Sequence, residues 1–160
     1  MTKEEKSYIA GFLDGDGCIM LQLISRPDYF LGYQIRASIV FYQKSKFKDF
    51  LYWLKSNFKV GYIRDRRDDI SEYTIVGFEA VEGVLKLLKP YLRLKKKQAE
   101  LALEIINKTP LKKRKIYTPE LLLELAKEVD KFIDLNYSKK RKNTSIEIEN
   151  FLKSHKLLSP

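Results

Sequence analysis

Two aspartates alternate with two glycines at residues 14–17, where the chain reads Asp-Gly-Asp-Gly. Carboxylates this close together, on backbone that glycine lets bend, can present oxygen atoms to a hard cation such as Mg²⁺. The simpler interpretation is a helix end that glycine caps, with both acids in solvent. A calcium-binding EF-hand loop is excluded because its spacing of acids and its closing bidentate glutamate are missing.

The helix predicted before this turn has small residues on one side. At 100° per residue they form a stripe, and such a stripe lets two helix backbones approach closely. The corresponding helix of a second copy is its natural partner, and a two-fold contact would bring two acidic turns side by side. The predicted dimer contacts are Ser7, Ala10, Gly11, Asp14 and Gly15.

The periodicity of the remaining chain predicts an α+β fold. A capping-box pattern at Thr2 and Glu5 opens a helix over about residues 3–13. Apolar spacing then predicts strands at 18–25 and 33–42, a helix from Ser45 to 58, strands at 60–66 and 71–77, and helices at 78–88, 93–108, 118–136 and 144–157. We expect residues 1–136 and the basic loop and final helix of 137–160 to form one domain.

The chain has a strong excess of positive charge. It contains 31 Lys and Arg against 21 Asp and Glu, a formal net charge of +10 over 160 residues. Such a surface attracts polyanions, although charge alone is also compatible with a basic protein that binds none. Cys18 is the only cysteine, which excludes an intramolecular disulfide and a cysteine-based zinc site and fits a reducing compartment.

Targeting and membrane signals are not recognisable in the sequence. No apolar run reaches the length of a transmembrane helix, and the N-terminus has neither a signal-peptide layout nor the acid-poor composition of a transit peptide. We therefore expect no membrane partner. If the protein works in a chloroplast or mitochondrion, we expect that organelle to encode it; otherwise we expect an archaeal or bacterial cytoplasm.

Residues 8–17, YIAGFLDGDG, resemble the motif of the LAGLIDADG homing endonucleases. The resemblance continues through YQIRASIVFYQK, VGYIRDR, EYTI and PYLRLKKKQA, over about residues 8–105. With one motif, the chain is similar to the homodimeric members. The resemblance implies an αββαββα fold with a four-stranded antiparallel DNA-binding saddle and C-terminal helices. It also implies a hydrolase that cuts both strands of a long, nearly palindromic DNA target to initiate intron homing, with no small-molecule substrate.

The resemblance assigns the metal-binding and catalytic residues. It implies that Asp16 binds the catalytic Mg²⁺, for which Mn²⁺ or Ca²⁺ can substitute, with the main-chain carbonyl of Gly15 as a further ligand. Asp14 is then structural. Gln43 matches a catalytic glutamine, and Lys95 matches a catalytic cation.

A second catalytic cation is expected near Gln43, and here the sequence departs from the family pattern. Counting without a gap places Phe47 at this position. Either Lys46 or Lys48 must then supply the charge, and we favour Lys46.

Strand alternation predicts which residues face DNA. In the second strand, Ile35, Ala37, Ile39 and Phe41 should cover the core, and the residues between them should face out. A four-stranded sheet in the major groove can read bases through Arg and Gln. The predicted DNA-facing residues are Met20, Gln22, Ile24 and Arg26, then Gln34, Arg36, Ser38, Val40 and Tyr42, and finally Tyr62, Arg64, Arg66, Glu72 and Thr74.

The basic run at residues 138–143 resembles the tail segment with which this family contacts DNA phosphates. Its predicted contacts are Lys139, Lys142 and Asn143. A solvated tail and a nuclear-import signal are the alternative interpretations of such a run.

Two other functions fit the same resemblance. One is an RNA maturase that assists splicing of its host intron, and the other is a DNA-binding protein that has lost catalysis. Intact Asp16, Gln43 and Lys95 favour cleavage, whereas Phe47 at the expected cation position keeps the inactive alternative open.

Overall fold

The structure is a computed structural model that describes residues 1–110, 117–136 and 141–158. Helices and strands alternate in the order that the sequence predicts. Their bounds are α1 (Lys3–Asp16), β1 (Gly17–Ser25), β2 (Tyr33–Lys44), α2 (Asp49–Phe58), β3 (Tyr62–Asp65), β4 (Ile70–Val76), α3 (Phe78–Leu88), α4 (Lys96–Lys108), α5 (Pro119–Asp130), α6 (Phe132–Leu135) and α7 (Ser145–Ser154).

The four strands form one sheet in the order β1-β2-β4-β3. Strand β2 pairs antiparallel with β4, and β3 pairs antiparallel with the other edge of β4. Phe41, Tyr73 and Ile63 therefore stand in one row across three strands. The predicted α+β class, with an antiparallel sheet and C-terminal helices, is confirmed.

The chain divides into two compact units, the first of which comprises residues 1–20 and 37–103. Its core lies where α1, α2 and α3 cover one face of the sheet. The Phe41 ring is stacked between those of Phe12, Phe58 and Tyr73, with centroids 6.1, 6.3 and 6.0 Å away. The predicted inward residues of β2 in this unit, Ala37, Ile39 and Phe41, are buried.

The second unit comprises residues 21–36 and 104–160. Leu122, Leu125, Val129, Ile148 and Leu152 form the apolar contact between α5 and α7 and are buried. The hairpin turn between β1 and β2 is close to α7. Gly32 in that turn has φ +68°, and a Cβ atom there would lie 2.3 Å from Cζ of Phe151. Glycine is therefore required at this position for two reasons, conformation and space.

Helix α1 is longer than predicted, since it ends at Asp16 and not near residue 13. The capping box of Thr2 and Glu5 is present as predicted. Gly17 is the C-cap, and its amide donates to the carbonyl oxygen of Leu13. A Cβ on Gly17 would lie 2.5 Å from Cδ1 of Leu13, so a larger residue at this change from helix to strand would require the Leu13 side chain to shift.

Other predicted helix boundaries differ from the structure. Ser45 does not cap α2, because residues 45–47 form a 3₁₀ turn and the Ser45 hydroxyl accepts a hydrogen bond from Ser71 at 3.0 Å. The helix predicted over 118–136 is interrupted at Lys131, and the last helix ends at Ser154. Thr144 caps that last helix, as predicted. None of the described helices is both long and apolar enough to cross a membrane.

Candidate active site and nucleic-acid interface

Asp16 is exposed at the last residue of α1. Within the part of the chain that the structure describes, no group donates a hydrogen bond to its carboxylate. The last turn contains no basic residue, so the negative end of the helix dipole adds to the charge of this side chain. An exposed, unpaired carboxylate at a negative helix end suits a hard cation.

Asp14 has the opposite environment, because its carboxylate is buried under the segment that precedes α4. Oδ2 accepts hydrogen bonds from the amides of Arg93 at 2.7 Å and Leu94 at 3.2 Å, and Oδ1 accepts one from the amide of Lys95 at 2.9 Å. The Lys95 ammonium in turn donates to the main-chain oxygen of Asp14. Both carboxylate oxygens of Asp14 are thus used within the chain.

Lys95 is consequently held at the end of α1. Its hydrogen-bond partner, Asp14, is two residues before Asp16. Only 9% of Lys95 is exposed, which is unusual for a lysine whose partner is a carbonyl and not a carboxylate. The structure therefore anchors Lys95 to Asp14, two residues before Asp16, although these elements are far apart in sequence.

The predicted dimer stripe is partly covered by the chain itself. Ala10 is fully buried and Asp14 is 8% exposed. Helix α1 contacts α3 and the 3₁₀ turn at Lys89–Tyr91. The side chains of Ala10 and Asp14 are not exposed, so the dimer contacts predicted for these two residues stay predictions that their burial does not favour. Ser7, Gly11 and Gly15 are exposed, and a Cβ on either glycine would have nothing within 4 Å.

Gln43 lies near the end of β2, on the core side of the strand and opposite Ser71. Its side-chain oxygen accepts a hydrogen bond from the Lys44 amide at 2.8 Å. This bond leaves the two N–H groups of the Gln43 amide as the donors that it can offer to a ligand.

Lys46 and Lys48 are distinguished by their contacts. Lys48 forms an ion pair with Asp65, with Nζ 3.2 Å from Oδ2, and this pairing raises the pKa of Lys48. Lys46 is exposed, and its Nζ lies 4.8 Å from the centroid of the Phe47 ring. Of these two lysines, Lys48 has an ion pair, and Lys46 forms none with a carboxylate of the described residues.

The outer face of the sheet in the first unit is organised in rows. Tyr42, Glu72 and Arg64 stand side by side across β2, β4 and β3, and Val40, Thr74 and Tyr62 form the next row. The residues on the central strands are covered by these neighbours. Four predicted outward residues are consequently buried and not exposed, namely Ser38, Val40, Glu72 and Thr74.

Arg64 of β3 and Arg66, which follows that strand, are each paired with an acid. Arg64 contacts Oε1 of Glu72 at 2.6 Å, and Arg66 contacts Oδ2 of Asp68 at 2.8 Å. The Arg64 side chain remains 65% exposed, so the pair leaves part of its guanidinium open to a ligand. Burial raises the pKa of Tyr42 at the opposite end of the row, and its phenol stays a neutral donor.

In the second unit, the turn after β1 uses two of the predicted DNA-facing residues. Arg26 contacts both carboxylate oxygens of Asp28 at 2.9 and 2.7 Å, stacks on Tyr29 and donates to the Gln34 oxygen at 3.1 Å. Arg26 therefore fixes the turn. Arg36 differs, since its buried Nε has no partner among the described residues.

The outward residues of β1 are only partly covered. Gln22 is exposed, and Met20 and Ile24 are half-buried. Leu21 and Leu23 between them are buried, as predicted.

The basic segment near the C-terminus is only partly described. Lys139 lies outside the described residues, and Lys142 is exposed. The side-chain amide of Asn143 donates to the main-chain oxygen of Leu23 at 2.8 Å. This hydrogen bond engages the Asn143 amide within the chain, whereas the sequence predicts a free contact to DNA phosphates.

Two exposed aromatic features escaped the sequence analysis. Phe30, at the tip of the turn between β1 and β2, is 80% exposed. Tyr8 is 59% exposed and makes edge contacts with Phe50 and Trp53, with centroids 5.8 and 6.3 Å away. The sequence contains one signal for this aromatic cluster. Trp53 follows Phe50 by three residues, which makes the apolar face of α2 wider than packing on the core requires.

The fold is that of a homing endonuclease. The chain superposes with a TM-score of 0.90 on the crystal structure of the homing endonuclease I-CvuI in complex with its target, determined with Ca, at 36% identity over 98% of this chain and 97% of that one. The archaeal intron-encoded homing endonuclease I-Vdi141I complexed with DNA has the same fold, with a TM-score of 0.83 at 19% identity, over 97% of this chain and 98% of that one.

The sequence matches the model of the LAGLIDADG endonuclease family over residues 9–105, and the chain belongs to this family. It is 40% identical over 135 residues to DNA endonuclease I-CvuI of Chlorella vulgaris, covering 84% of this chain and 81% of the relative. It is 38% identical over 153 residues to DNA endonuclease I-CreI of Chlamydomonas reinhardtii, covering 96% and 91%. The predicted family is confirmed.

The environment of Cys18 gives a test of the geometry beside Asp14. Burial raises the pKa of the Cys18 thiol, and the charge of Lys95 opposes this shift. At about pH 8.5, iodoacetamide should alkylate the folded protein at least ~10-fold more slowly than the protein in concentrated urea. Lys95→Met should slow the folded reaction further, because the thiolate loses a nearby cation. Equal rates for folded wild type and Lys95→Met would contradict this placement of Lys95.

Proposed function

We propose that this protein is a site-specific DNA endonuclease that uses a divalent metal at Asp16 to cut both strands of a long, nearly palindromic target, the first step of intron homing. The observation that carries the proposal is the unpaired Asp16 carboxylate at the end of α1, the helix whose Asp14 carbonyl accepts a hydrogen bond from the buried Lys95. The relatives named DNA endonucleases support the same reaction.

The residues present fit a magnesium ion. The described residues contain no cluster of three or more His, Cys, Asp or Glu, and Mg²⁺ is commonly held by one or two carboxylates together with water and substrate phosphates. Asp16 would supply the carboxylate, and the Gly15 carbonyl a further oxygen. When bound, the metal supplies a Lewis acid at the scissile phosphate. Structures of I-CvuI with Ca or Mg support a divalent cation here.

The side chains around the metal position have distinct roles in this proposal. Lys95 places a positive charge near the phosphate, where negative charge develops during cleavage. The free N–H groups of the Gln43 amide orient water. Lys46 supplies the second cation, because Lys48 is held by Asp65.

Base recognition is assigned to exposed residues of the outer sheet face. In the first unit, Arg64 and Tyr62 are exposed; in the second unit, Gln22 is exposed, and the half-buried Arg36 has an Nε without a partner among the described residues. The buried Ser38, Val40, Glu72 and Thr74 lie on the same face of the first unit as Arg64 and Tyr62. In the proposal Lys142 contacts phosphates, which gives affinity without sequence choice.

Homodimerisation through α1 completes the proposal. Ser7, Gly11 and Gly15 form an exposed stripe on that helix, and two such stripes in contact would bring two Asp16 side chains to one duplex. The exposed Tyr8 follows Ser7 directly, and its ring lies against Phe50 and Trp53. An apolar patch of this kind beside a small-residue stripe is typical of a protein interface.

The same relatives support a genetic setting for this protein. They come from the algae Chlorella vulgaris and Chlamydomonas reinhardtii. We propose that an intron of an algal chloroplast or mitochondrial genome encodes this protein and that its target is the intronless allele of the host gene.

Cleavage is tested with a plasmid that carries the intronless allele of the host gene. With Mg²⁺, wild-type protein should give linear DNA, and Asp16→Asn should lower the rate by at least ~10³-fold, because the metal loses its charged ligand. Asp134→Asn, at an exposed aspartate of α6, is the matched control and should cleave normally.

The outcome also separates the alternatives. Specific binding of the plasmid without cleavage, under varied metal and pH, would contradict the nuclease and leave a DNA-binding protein. Binding to intron RNA with no affinity for the allele would leave a maturase.

Arg64 and Lys142 should differ in what they contribute to binding. Arg64→Ala should relax base preference at one position of each half-site, by about 1–3 kcal/mol of discrimination, because a base contact is lost. Lys142→Ala should weaken all sequences alike and lower the slope of log affinity against log salt by about 1. Binding to a set of single-base variants at several salt concentrations measures both, and the same loss of specificity in the two variants would refute these roles.

Gly11 and Gly83 form a matched pair for testing the dimer. Both are exposed helical glycines with space for a methyl group within the chain. Gly83→Ala should raise the free energy of unfolding by about 0.5–1 kcal/mol and leave dimerisation unchanged. Gly11→Ala should weaken the dimer at least ~10-fold, because the added methyl groups separate the helices. Sedimentation showing a monomer for wild type, or an unchanged dimer in Gly11→Ala, would contradict the interface.

A further inference from the structure

Asp14 is a nearly buried carboxylate that neither the metal proposal nor the dimer interface uses. Its three acceptor contacts all go to consecutive amides, those of Arg93, Leu94 and Lys95. These residues link the 3₁₀ turn at Lys89–Tyr91 to α4, which begins at Lys96. They lie outside regular secondary structure, so their amides depend on a side chain for partners.

We propose that Asp14 is a positioning residue, which clamps residues 93–95 onto α1 so that the Lys95 ammonium and the Asp16 carboxylate meet the scissile phosphate as one rigid piece. This inference rests on the proposed nuclease function. It assigns Asp14 no contact with DNA or metal.

A carboxylate is the side chain that this position requires. It provides two oxygens for three N–H donors, at 2.7, 2.9 and 3.2 Å, and hydrogen bonds to an ionised acceptor are stronger than neutral ones. An asparagine keeps one acceptor oxygen but turns an NH₂ group toward the remaining amides. An alanine leaves all three amides without this acceptor.

Lys95 also donates a hydrogen bond back to Asp14. Its ammonium donates to the main-chain oxygen of Asp14, so backbone and side chain of the two residues are joined reciprocally. Asp14 is two residues from Asp16 in the last turn of α1. Any shift of residues 93–95 therefore moves the Lys95 charge relative to Asp16, and a misplacement of about 1 Å can cost about 100-fold in rate.

The clamp predicts that Asp14 acts on cleavage through Lys95. A merely structural role would lower stability and DNA affinity without any special relation to Lys95. A double-mutant cycle separates these two roles, because residues that act as a unit are not additive.

The cycle compares wild type, Asp14→Asn, Lys95→Met and the double variant, with Asp134→Asn as control. Single-turnover cleavage is measured in Mg²⁺ on a linear duplex of the intronless allele, and affinity for the same duplex is measured in Ca²⁺. Asp14→Asn should cleave about 100-fold more slowly, with affinity unchanged within about threefold. The double variant should be no more than about threefold slower than Lys95→Met. Multiplicative losses, or a parallel loss of affinity, would overturn the proposal.

Hydrogen exchange tests the clamp even if Asp14→Asn fails to fold. In wild type without DNA, the amides of Arg93 and Lys95 should be protected, and protection should persist in Lys95→Met, which keeps the Asp14 carboxylate. Unprotected amides in a wild type that cleaves DNA would overturn the clamp alone. Protected amides in a wild type that cuts no DNA would overturn the proposed function, and with it the positioning role.

Discussion

The three hydrogen bonds between the Asp14 carboxylate and the amides of residues 93–95 join the end of α1 to the beginning of α4. Much of the candidate site depends on them. They hold the almost buried Lys95 against Asp14, two residues before the exposed Asp16. Two aspartates of one turn thus have different environments, since the Asp14 carboxylate is bonded within the fold and the Asp16 carboxylate is exposed.

Charge on and beside the sheet is arranged by pairing. Arg64, Arg66 and Lys48 each contact an acid on the same or an adjacent strand or turn. Exposed pairs of this kind add little stability, but they hold long side chains in one orientation before DNA arrives. Phosphates and base edges must then compete with those acids. With a net charge of +10, attraction to DNA does not depend on any single pair.

Much of the fold could be predicted from the sequence, because apolar periodicity marks Ile39 and Phe41 as inward and the capping boxes mark the starts of α1 and α7. The burial of Ser38 and Thr74 could not, because alternation gives the side of a strand and not its neighbours across the sheet. The Asp14 contact was also beyond reach, since its partners are about 80 residues away. The motif identified Asp16, but only the structure distinguishes Lys46 from Lys48 by their partners.

The central claim is that the end of α1 binds the metal when DNA is present. It is tested most directly by a crystal structure of the protein with target DNA and Mn²⁺, in which anomalous scattering locates the ion. We predict a peak about 2.1 Å from an oxygen of Asp16, absent in Asp16→Asn, with Asp14 still bonded to residues 93–95. A peak on Asp14, or a metal bound to the DNA with no contact to Asp16, would contradict this account.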